Sequence, residues 1–267
     1  SYLSYIPVRS GLKRVFSRSA KVSDSPNRSS DILDKYAIDI ADGTVPASSI
    51  IKEIVDGGKY EEIYTHIGTD IVAAMAFMDG IPVGVIGNES ARISRDGMYK
   101  AEKLIRICDS FCMPIIFVSH AEGFEIGVGT EKSDILDRTA SFVSSLCACR
   151  VPRLSLIVGP SIGTAYVCFN SKMLGSDYVF AWPSAEVSVL LPDPAVQILW
   201  KNRIAESEDP ITARTELIEE FRSEVASADS AASEGHIDEI ILPSSSRARI
   251  ISTLDVLLLE YPMAEKV

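Results

Sequence analysis

Two glycine-containing segments have residue types and spacing that suit contact between the backbone and a ligand. The first contains Gly123, Phe124, Gly127 and Gly129 and follows an apolar run at 114–118. Glycine has no side chain, so a loop of this kind lets the backbone approach a ligand closely. Its spacing is not that of a dinucleotide-binding loop, and a plain surface loop is the alternative interpretation.

The second segment is a predicted turn at Gly163, between an apolar run at 154–158 and a helix that begins with Thr164, Ala165 and Tyr166. The first N–H groups of a helix have no partner within it and lie at the positive end of the helix dipole. Two such amides can stabilise a developing oxyanion. A tightly packed strand-to-helix turn is the alternative interpretation.

Side chains suggest less chemistry than these two backbone segments do. The sequence has no Gly-x-Ser-x-Gly motif and no phosphate-binding loop that ends in Gly-Lys-Ser/Thr. Its three histidines are too few for a multi-histidine metal site, and its five cysteines lack the spacing of a zinc knuckle. We therefore expect no metal ion and predict that all five cysteines are reduced core thiols: Cys108, Cys112, Cys147, Cys149 and Cys168.

The elements that must position these segments are predicted from hydrophobic periodicity and turn residues. Strands are expected at 71–78 and 81–86, joined as a hairpin by Asp79-Gly80, and at 114–118, 154–158, 178–182 and 187–190. Helices are expected at 45–55, 97–111, 134–147, 164–170, 209–227 and 246–259. This alternation predicts an α/β fold with one main sheet whose strands are joined by helical crossovers.

Composition excludes several classes of protein. The 267 residues are 46% hydrophobic and 24% charged, with a net charge of −11. That balance is ordinary for a globular domain, and the acidic charge argues against a nucleic-acid binder, which needs a basic face. No apolar run approaches the ~18 residues that a membrane span needs. We expect a cytoplasmic protein without a membrane span.

Residues 1–30 differ in composition from the rest of the chain. They carry six basic side chains, one acidic side chain and nine serines. We predict a linker-like segment over 1–30 and a single domain over 31–267. A mitochondrial transit peptide is the alternative for the first segment.

Several longer motifs resemble, in the same order, those of biotin-dependent carboxyltransferases, which are β-type subunits of acyl-CoA carboxylases and α-type subunits of decarboxylases. The motifs are Ile-Pro-Val-Gly-Val-Ile-Gly-Asn at 81–88, Asp-Ser-Phe-Cys-Met-Pro-Ile-Ile-Phe-Val at 109–118, Gly-Thr-Ala-Tyr at 163–166, Ala-Trp-Pro-Ser-Ala-Glu at 181–186 and Pro-Ser-Ser-Ser-Arg-Ala-Arg at 243–249. The resemblance covers about residues 1–260 and only the C-terminal half of such subunits.

The resemblance implies a crotonase (ClpP-like) fold, in which ββα units repeat along a superhelix. It implies that this half holds biotin on a biotin carboxyl carrier protein, while an N-terminal half holds acyl-CoA. It also implies a homo-oligomer and catalysis by backbone oxyanion holes. The catalytic turn would consist of Gly163, Thr164 and Ala165, with Gly123, Phe124, Gly127 and Tyr166 binding substrate.

The chain departs from the family pattern around this turn. Thr164 stands where the family has a second glycine, the family's Asp-Val-Pro-Gly-Phe loop is replaced by 119–124, and a glycine-rich helix entry by 131–139. Asp134 and Asp137 in the last segment would place negative charge near a developing oxyanion, which is unfavourable.

These departures leave two alternatives to a carboxyltransferase half. One is a catalytically weakened homologue that serves as a structural assembly partner. The other is a CoA-thioester hydratase or isomerase that uses Glu122 as general acid or base, although a solvated loop carboxylate is the simpler role for Glu122.

Four other side chains are expected to be structural, and His120 has two possible roles. Arg247 and Arg249 should pair with acids such as Glu239 or Asp255, and Trp182 and Trp200 should be core or interface anchors. His120, at a strand end, is either a site residue or a hydrogen-bonded surface histidine.

Overall fold

A seven-stranded sheet forms the centre of the computed structural model, which describes residues 2–7, 23–40, 45–131 and 133–260. The strands in chain order are β1 (Tyr60–Glu62), β2 (Ile71–Met78), β3 (Ile81–Asn88), β4 (Arg92–Ile93), β5 (Ile115–Ser119), β6 (Gly123–Phe124), β7 (Arg153–Ile157), β8 (Pro160–Ile162), β9 (Tyr178–Ala181), β10 (Glu186–Ser188) and β11 (Glu239–Ile240). The main sheet has the order β1-β2-β3-β5-β7-β9-β11. The β1–β2–β3 pairs are antiparallel, and every later pair is parallel.

The described residues form eleven α-helices. They are α1 (Asp31–Asp39), α2 (Ala47–Ile54), α3 (Arg95–Phe111), α4 (Val128–Glu131), α5 (Ile135–Ala148), α6 (Gly163–Cys168), α7 (Pro192–Leu199), α8 (Lys201–Ala205), α9 (Pro210–Glu224), α10 (Ala228–Ser233) and α11 (Ser246–Glu260). The longest, α3, begins at an N-cap serine, Ser94, whose side chain accepts a hydrogen bond from the Gly97 amide, and it ends at Cys112 in a left-handed conformation.

The chain repeats a strand–strand–helix unit along the sheet. After β5, β7 and β9 of the main sheet comes a short strand, β6, β8 or β10, which lies in a separate two-stranded sheet and leads into a helix. Within the small sheets, β4 pairs with β6 and β8 pairs with β10, both in parallel. The predicted ββα repeat is therefore present, although β6 and β8 were expected only as loop and turn. Strands of two or three residues are too short to show periodicity in a sequence.

The main sheet separates two apolar layers. One layer packs α1, α2 and α11 on the sheet through residues such as Leu33, Ile51 and Leu254. The other packs α3, α5 and α6 through residues such as Leu104 and Phe142. Because helices cover both faces, every residue of the parallel strands β5 and β7 is buried, including Arg153 and Ser155 of β7.

The motifs at 181–186 and 243–249 have a structural role. Trp182 is fully buried in the core and its indole N–H donates to the Ser246 hydroxyl at 2.8 Å, so it is a core anchor as predicted. Arg249 pairs with Glu239 at 2.6 Å, as predicted. Arg247 pairs with an acid other than Glu239 or Asp255: its guanidinium lies 2.6 Å from the Asp56 carboxylate.

Arg247 is one of the most buried charges of the described residues, with 1% of its surface exposed. Its guanidinium also donates to the Ile54 carbonyl at 2.7 Å. The Asp56 carboxylate in turn accepts from the amides of Asp79 and Gly80 at 2.9 and 2.8 Å. This arginine therefore ties α11 to the end of α2 and to the β2–β3 hairpin turn.

The predicted helix at 209–227 is shorter in the structure and is followed by a separate helix. α9 ends at Glu224, and the chain at Ala226 and Ser227 pairs with β10 before α10 begins. The amide of Val187 donates to the Ala226 carbonyl at 2.8 Å, so tertiary strand pairing ends the helix. Trp200 packs on Phe221 of α9 with ring centroids 6.0 Å apart, which makes it a core anchor of this helical cluster.

The cysteine prediction is partly wrong. All five thiols are free, and Cys108, Cys112 and Cys168 are buried as expected. Cys147 is exposed and Cys149 is half-buried, because they lie at the last turn of α5 and just beyond it, where the helix leaves the core. Across the described ranges, no group of three or more His, Cys, Asp or Glu side chains could hold a metal ion, and no helix is long and apolar enough to span a membrane.

The N-terminal residues that the structure describes contact the folded domain. The Tyr5 ring stacks on Phe77 with centroids 4.9 Å apart, and the Tyr2 hydroxyl donates to the Glu62 carbonyl at 2.8 Å. Most basic residues of the predicted linker fall in 8–22, outside the described residues. The boundary at residue 30 stays a prediction.

Candidate functional site

The turn at Gly163 lies beyond the carboxyl end of β7, between the two small sheets. Its preceding strand, β8, pairs with β10 on one side, and the Ile162 amide donates to the Ala121 carbonyl on the other at 2.9 Å. α6 packs beside β6. The structure thereby brings the Gly163–Tyr166 segment together with Gly123 and Phe124, which lie far apart in the sequence.

Glycine is required at position 163 for two physical reasons. Its φ is +59°, a left-handed conformation that side chains other than Asn and Asp rarely adopt. A Cβ at this position would also lie 3.0 Å from the Val189 carbonyl oxygen. The backbone of the turn is therefore pressed against the segment that follows β10.

The first amides of α6 have no side-chain cap. The N-cap position is Ile162, whose extended backbone and apolar side chain provide no acceptor. Thr164 is exposed, and Ala165 is fully buried beneath it. An exposed residue whose amide has no capping side chain can present that amide to a ligand.

The predicted glycine loop divides into a strand and an open segment. Gly123 and Phe124 form β6, and the Arg92 guanidinium donates to the Phe124 carbonyl at 3.2 Å. Gly127 lies beyond the strand, with no atom within 4 Å of an added Cβ. Its neighbours Ile126 and Val128 are exposed. The structure thus places Gly123 and Phe124 next to α6 and leaves Gly127 on the open side of the loop.

Tyr166 lies in the core rather than on the surface of the turn. Its ring packs among residues such as Ala185 and Val187 and meets His236 edge-on, with centroids 6.4 Å apart. Burial raises the pKa of the phenol. The hydroxyl has no hydrogen-bond partner among the described residues. Tyr166 therefore packs against Val187 of β10. Its predicted contact with substrate stays a prediction.

A second carboxylate lies near Glu122 and was missed from the sequence. Glu186 of β10 is aligned with Pro160 of β8, and burial raises its pKa, helped by the negative charges of Glu219 and Glu122 and opposed by Arg222. The Arg222 Nε atom is 3.7 Å from the Glu186 carboxylate. The only sequence signal for Glu186 was its place at the end of the Ala-Trp-Pro-Ser-Ala-Glu motif.

The negative charge expected from Asp134 is compensated in the structure. Arg95, at the start of α3, donates two hydrogen bonds to the Asp134 carboxylate, one of them at 3.0 Å from Nη2. These bonds lower the pKa of Asp134. Asp134 is therefore ion-paired with Arg95, a contact that the local sequence does not reveal, and the expectation that Asp134 and Asp137 place negative charge near an oxyanion stays a prediction.

His120 is buried, so the expectation of a surface histidine is wrong. It follows β5 with 5% of its surface exposed, and its amide donates to the Asn88 side-chain oxygen at 2.9 Å. Burial lowers the pKa of its imidazole to about 4, so the ring is neutral at pH 7. Its Nε2 atom has no partner among the described residues.

The far end of α6 is anchored by a buried polar network. Asn170, fully buried at φ +61°, accepts a hydrogen bond from Arg153 at 3.1 Å and donates to Ser155 and Ser176 at 2.8 and 3.1 Å. The Ser155 hydroxyl donates to the Asn170 carbonyl at 2.6 Å. α6 is therefore fixed to β7 at its carboxyl end as well.

Two surface grooves lie away from the turn. One, of about 490 Å³, runs between α3 and α5 and is lined by residues such as Arg106 and Ser144. The other, of about 360 Å³, is apolar and lies beside Tyr2 and Phe111. Neither groove is lined by residues of β6 or α6, so neither is a binding site formed by the turn.

Comparison with known proteins gives consistent matches. The family model described as "Carboxyl transferase domain" matches residues 1–261. Methylmalonyl-CoA decarboxylase subunit alpha of Propionigenium modestum is 32% identical over 242 residues, which are 89% of this chain and 44% of that protein. A putative propionyl-CoA carboxylase beta chain of Bacillus subtilis strain 168 is 33% identical over 223 residues, 81% of this chain and 44% of that protein.

Solved structures match over the whole chain. Transcarboxylase 12S, with methylmalonyl-coenzyme A and methylmalonic acid bound, has a TM-score of 0.89 and 27% identity, and the match covers 100% of this chain and 51% of that one. The beta subunit of Pseudomonas aeruginosa geranyl-CoA carboxylase, 20% identical, has a TM-score of 0.74 over 99% and 49% of the chains and shares the fold. These neighbours have the crotonase fold, so the predicted fold is confirmed. The chain spans about half the length of the curated relatives it matches.

Proposed function

The chain belongs to the carboxyl transferase domain family, and from that membership we propose that it is the biotin-facing half of a carboxyltransferase, which moves carboxylate between carrier-bound biotin and the α-carbon of an acyl-CoA. The observation that carries the proposal is the turn at Gly163. Its left-handed backbone presses on the Val189 carbonyl, and the N-cap Ile162 provides no acceptor for the amides that follow.

The residues of the turn fit a ureido group of biotin. Biotin supplies the ureido nitrogen that carries the carboxyl group. The exposed Thr164 amide would donate to the ureido oxygen, which gains negative charge when that nitrogen loses CO2. Preorganised backbone donors stabilise such charge without reorganisation. Gly163 allows this backbone conformation, because its φ is +59° and an added Cβ would lie 3.0 Å from the Val189 carbonyl oxygen. The Ala165 amide, the predicted second donor, belongs to a residue with none of its surface exposed, so it would reach the oxygen only after a shift of the turn.

The other half of the site would come from a different chain or segment. The chain matches the C-terminal half of its relatives, and the family resemblance assigns acyl-CoA to an N-terminal half. We therefore propose that an N-terminal carboxyltransferase half supplies the CoA site and that a biotin carboxyl carrier protein delivers the biotin. Relatives are named for propionyl-CoA and methylmalonyl-CoA, so a short acyl-CoA is the first substrate to test.

Two alternatives are each supported by one observation. Thr164 is exposed at the turn; its side chain would limit the space for a ureido ring, which favours a weakened homologue that serves in assembly. The raised pKa of Glu186, beside Glu122, favours acid–base chemistry on a CoA thioester without biotin.

A single assay separates these three functions. The native protein is purified with whatever chain accompanies it, and methylmalonyl-CoA and a panel of acyl-CoAs are turned over with and without free biotin. Biotin-dependent loss or exchange of carboxylate supports the proposal. Hydration of an enoyl-CoA without biotin supports the hydratase, and no turnover together with no binding of biotin at millimolar concentration supports the assembly role.

A further inference from the structure

A pair of buried serine hydroxyls lies directly behind the turn. Ser119 is the last residue of β5, and Ser161 is the middle residue of β8. Their Oγ atoms are 2.9 Å apart, with 3% of Ser119 and none of Ser161 exposed.

This hydrogen bond joins the short strand β8 to the centre of the main sheet. β5 lies in the centre of the main sheet, between β3 and β7. β8 has three residues, belongs to a two-stranded sheet and leads directly into Gly163. A two-stranded sheet is marginally stable on its own, so its position depends on contacts such as the Ser119–Ser161 bond.

The Ser119–Ser161 hydrogen bond lies close enough in the chain to the Thr164 and Ala165 amides to affect their position. Ser161 is two residues before Gly163, and the next amide, that of Ile162, donates to Ala121. A catalytic group that is misplaced by 1 Å can lose on the order of 10²-fold in rate. At a site this buried, removal of one hydroxyl leaves the other without its protein partner, and the expected response is a shift of β8.

We propose that Ser119 and Ser161 are positioning residues that set where the Thr164 and Ala165 amides lie. The inference rests on the proposed function, because it assigns those amides to the biotin ureido oxygen. The two serines touch neither substrate nor biotin and act only through the backbone of the turn.

The test compares Ser119→Ala, Ser161→Ala and the double variant with the wild type, each in the complex that supports turnover. Three quantities are measured: the melting temperature, amide hydrogen exchange of peptides within 160–168, and turnover with free biotin and methylmalonyl-CoA. Ser246→Ala is the matched control, since Ser246 is also fully buried and also bonds one buried side chain, that of Trp182.

Each single variant should exchange the 160–168 amides at least about threefold faster and lose about tenfold in kcat, with KM for the acyl-CoA unchanged. The double variant should regain part of the melting temperature, because no hydroxyl is left unpaired, while kcat stays low. Ser246→Ala should have a lower melting temperature than the wild type, with the same kcat and the same rate of amide exchange at 160–168.

The inference is overturned if the single variants keep wild-type exchange at 160–168, or if kcat recovers together with stability in the double variant. A wild-type complex without biotin-dependent turnover would instead refute the proposed function. The exchange measurement would then still decide whether the serine pair positions the turn.

Discussion

At the scale of single residues, Thr164 is the position where the family resemblance would place a second glycine. The threonine is exposed and directly follows Gly163. Its amide is retained whatever the side chain, so the substitution changes the space beside the donor rather than the donor itself. A side chain of this size can exclude a ring without altering the fold.

Thr164→Gly should raise biotin-dependent turnover at least about tenfold if the turn is intact but crowded, which corresponds to about 1.4 kcal/mol of barrier. The same change should cost about 0.5–1 kcal/mol of folding free energy through added backbone freedom. Steady-state turnover and thermal unfolding measure the two effects. Thr215→Gly is the matched control, since Thr215 is exposed on α9 and its loss should affect stability alone. Unchanged turnover in Thr164→Gly across the acyl-CoA panel would contradict the catalytic role.

His120 predicts a pH dependence of stability. Its pKa is near 6.5 in the unfolded chain and about 4 when folded. The unfolded chain therefore binds the proton first, so the stability associated with this residue is complete above pH 6.5 and is lost as the pH falls towards 4. The full difference corresponds to about 3 kcal/mol.

His120→Gln should therefore lose less stability than the wild type between pH 7 and pH 4, by up to about 3 kcal/mol. Urea unfolding at a series of pH values measures this directly. His66→Gln is the control, because His66 is exposed. Parallel curves for His120→Gln and the wild type would show that the buried ring is not the titrating group.

At the scale of elements, the six-residue helix α6 is stabilised by contacts with neighbouring elements rather than by its own helix propensity. Short helices are marginal in isolation, and this one is fixed at its start by β8 and at its end by the Arg153–Asn170 network. Asn170 combines a left-handed backbone with hydrogen bonds to three neighbours. Substitution by alanine or by glycine separates the effect of the backbone conformation from that of the hydrogen bonds.

Asn170→Ala should destabilise the fold more than Asn170→Gly. Both changes remove the side-chain hydrogen bonds to Arg153 and Ser155, which costs about 1–3 kcal/mol for buried partners left unpaired. Only alanine also lowers the free energy of unfolding by about 1–2 kcal/mol, because its Cβ disfavours the left-handed conformation. Chemical denaturation of the two variants measures the difference. Equal losses would show that φ at this position relaxes on substitution.

At the scale of the whole molecule, apolar side chains are exposed beside the turn and on the adjoining helix α7. Val189 and Leu190 follow β10, and Ile198 and Leu199 end α7. Val189 is 84% and Ile198 67% exposed. Apolar residues grouped in this way mark interaction sites more often than isolated ones do.

We expect the purified protein to be a dimer or larger, or to carry an N-terminal carboxyltransferase half. Ile198→Lys should weaken that assembly, because a charge would have to be desolvated at the interface. Light scattering at tens of micromolar measures the mass. Ile211→Lys on α9 is the control, as Ile211 is also exposed, at 81%, but lies in a different segment. A wild-type monomer without a partner would contradict the expectation.

Local patterns in the sequence determined the alternation of strands and helices, the β2–β3 hairpin and the glycine turn before α6. Each depends on neighbours within a few residues, such as the apolar spacing along α3 or the Asp79-Gly80 turn, and this information is present in the sequence itself. The longer motifs also determined the family and the ββα repeat.

Only the tertiary structure decided what surrounds that turn. The short strands β6 and β8, the Arg95–Asp134 pair, the buried His120 and the raised pKa of Glu186 all depend on residues that lie between 26 and 64 positions apart or on burial by several elements at once. Contacts of this kind leave no periodicity in the sequence. The turn can therefore be recognised from local sequence. The charged groups around it and the strands that hold it follow only from how the sheet and helices pack.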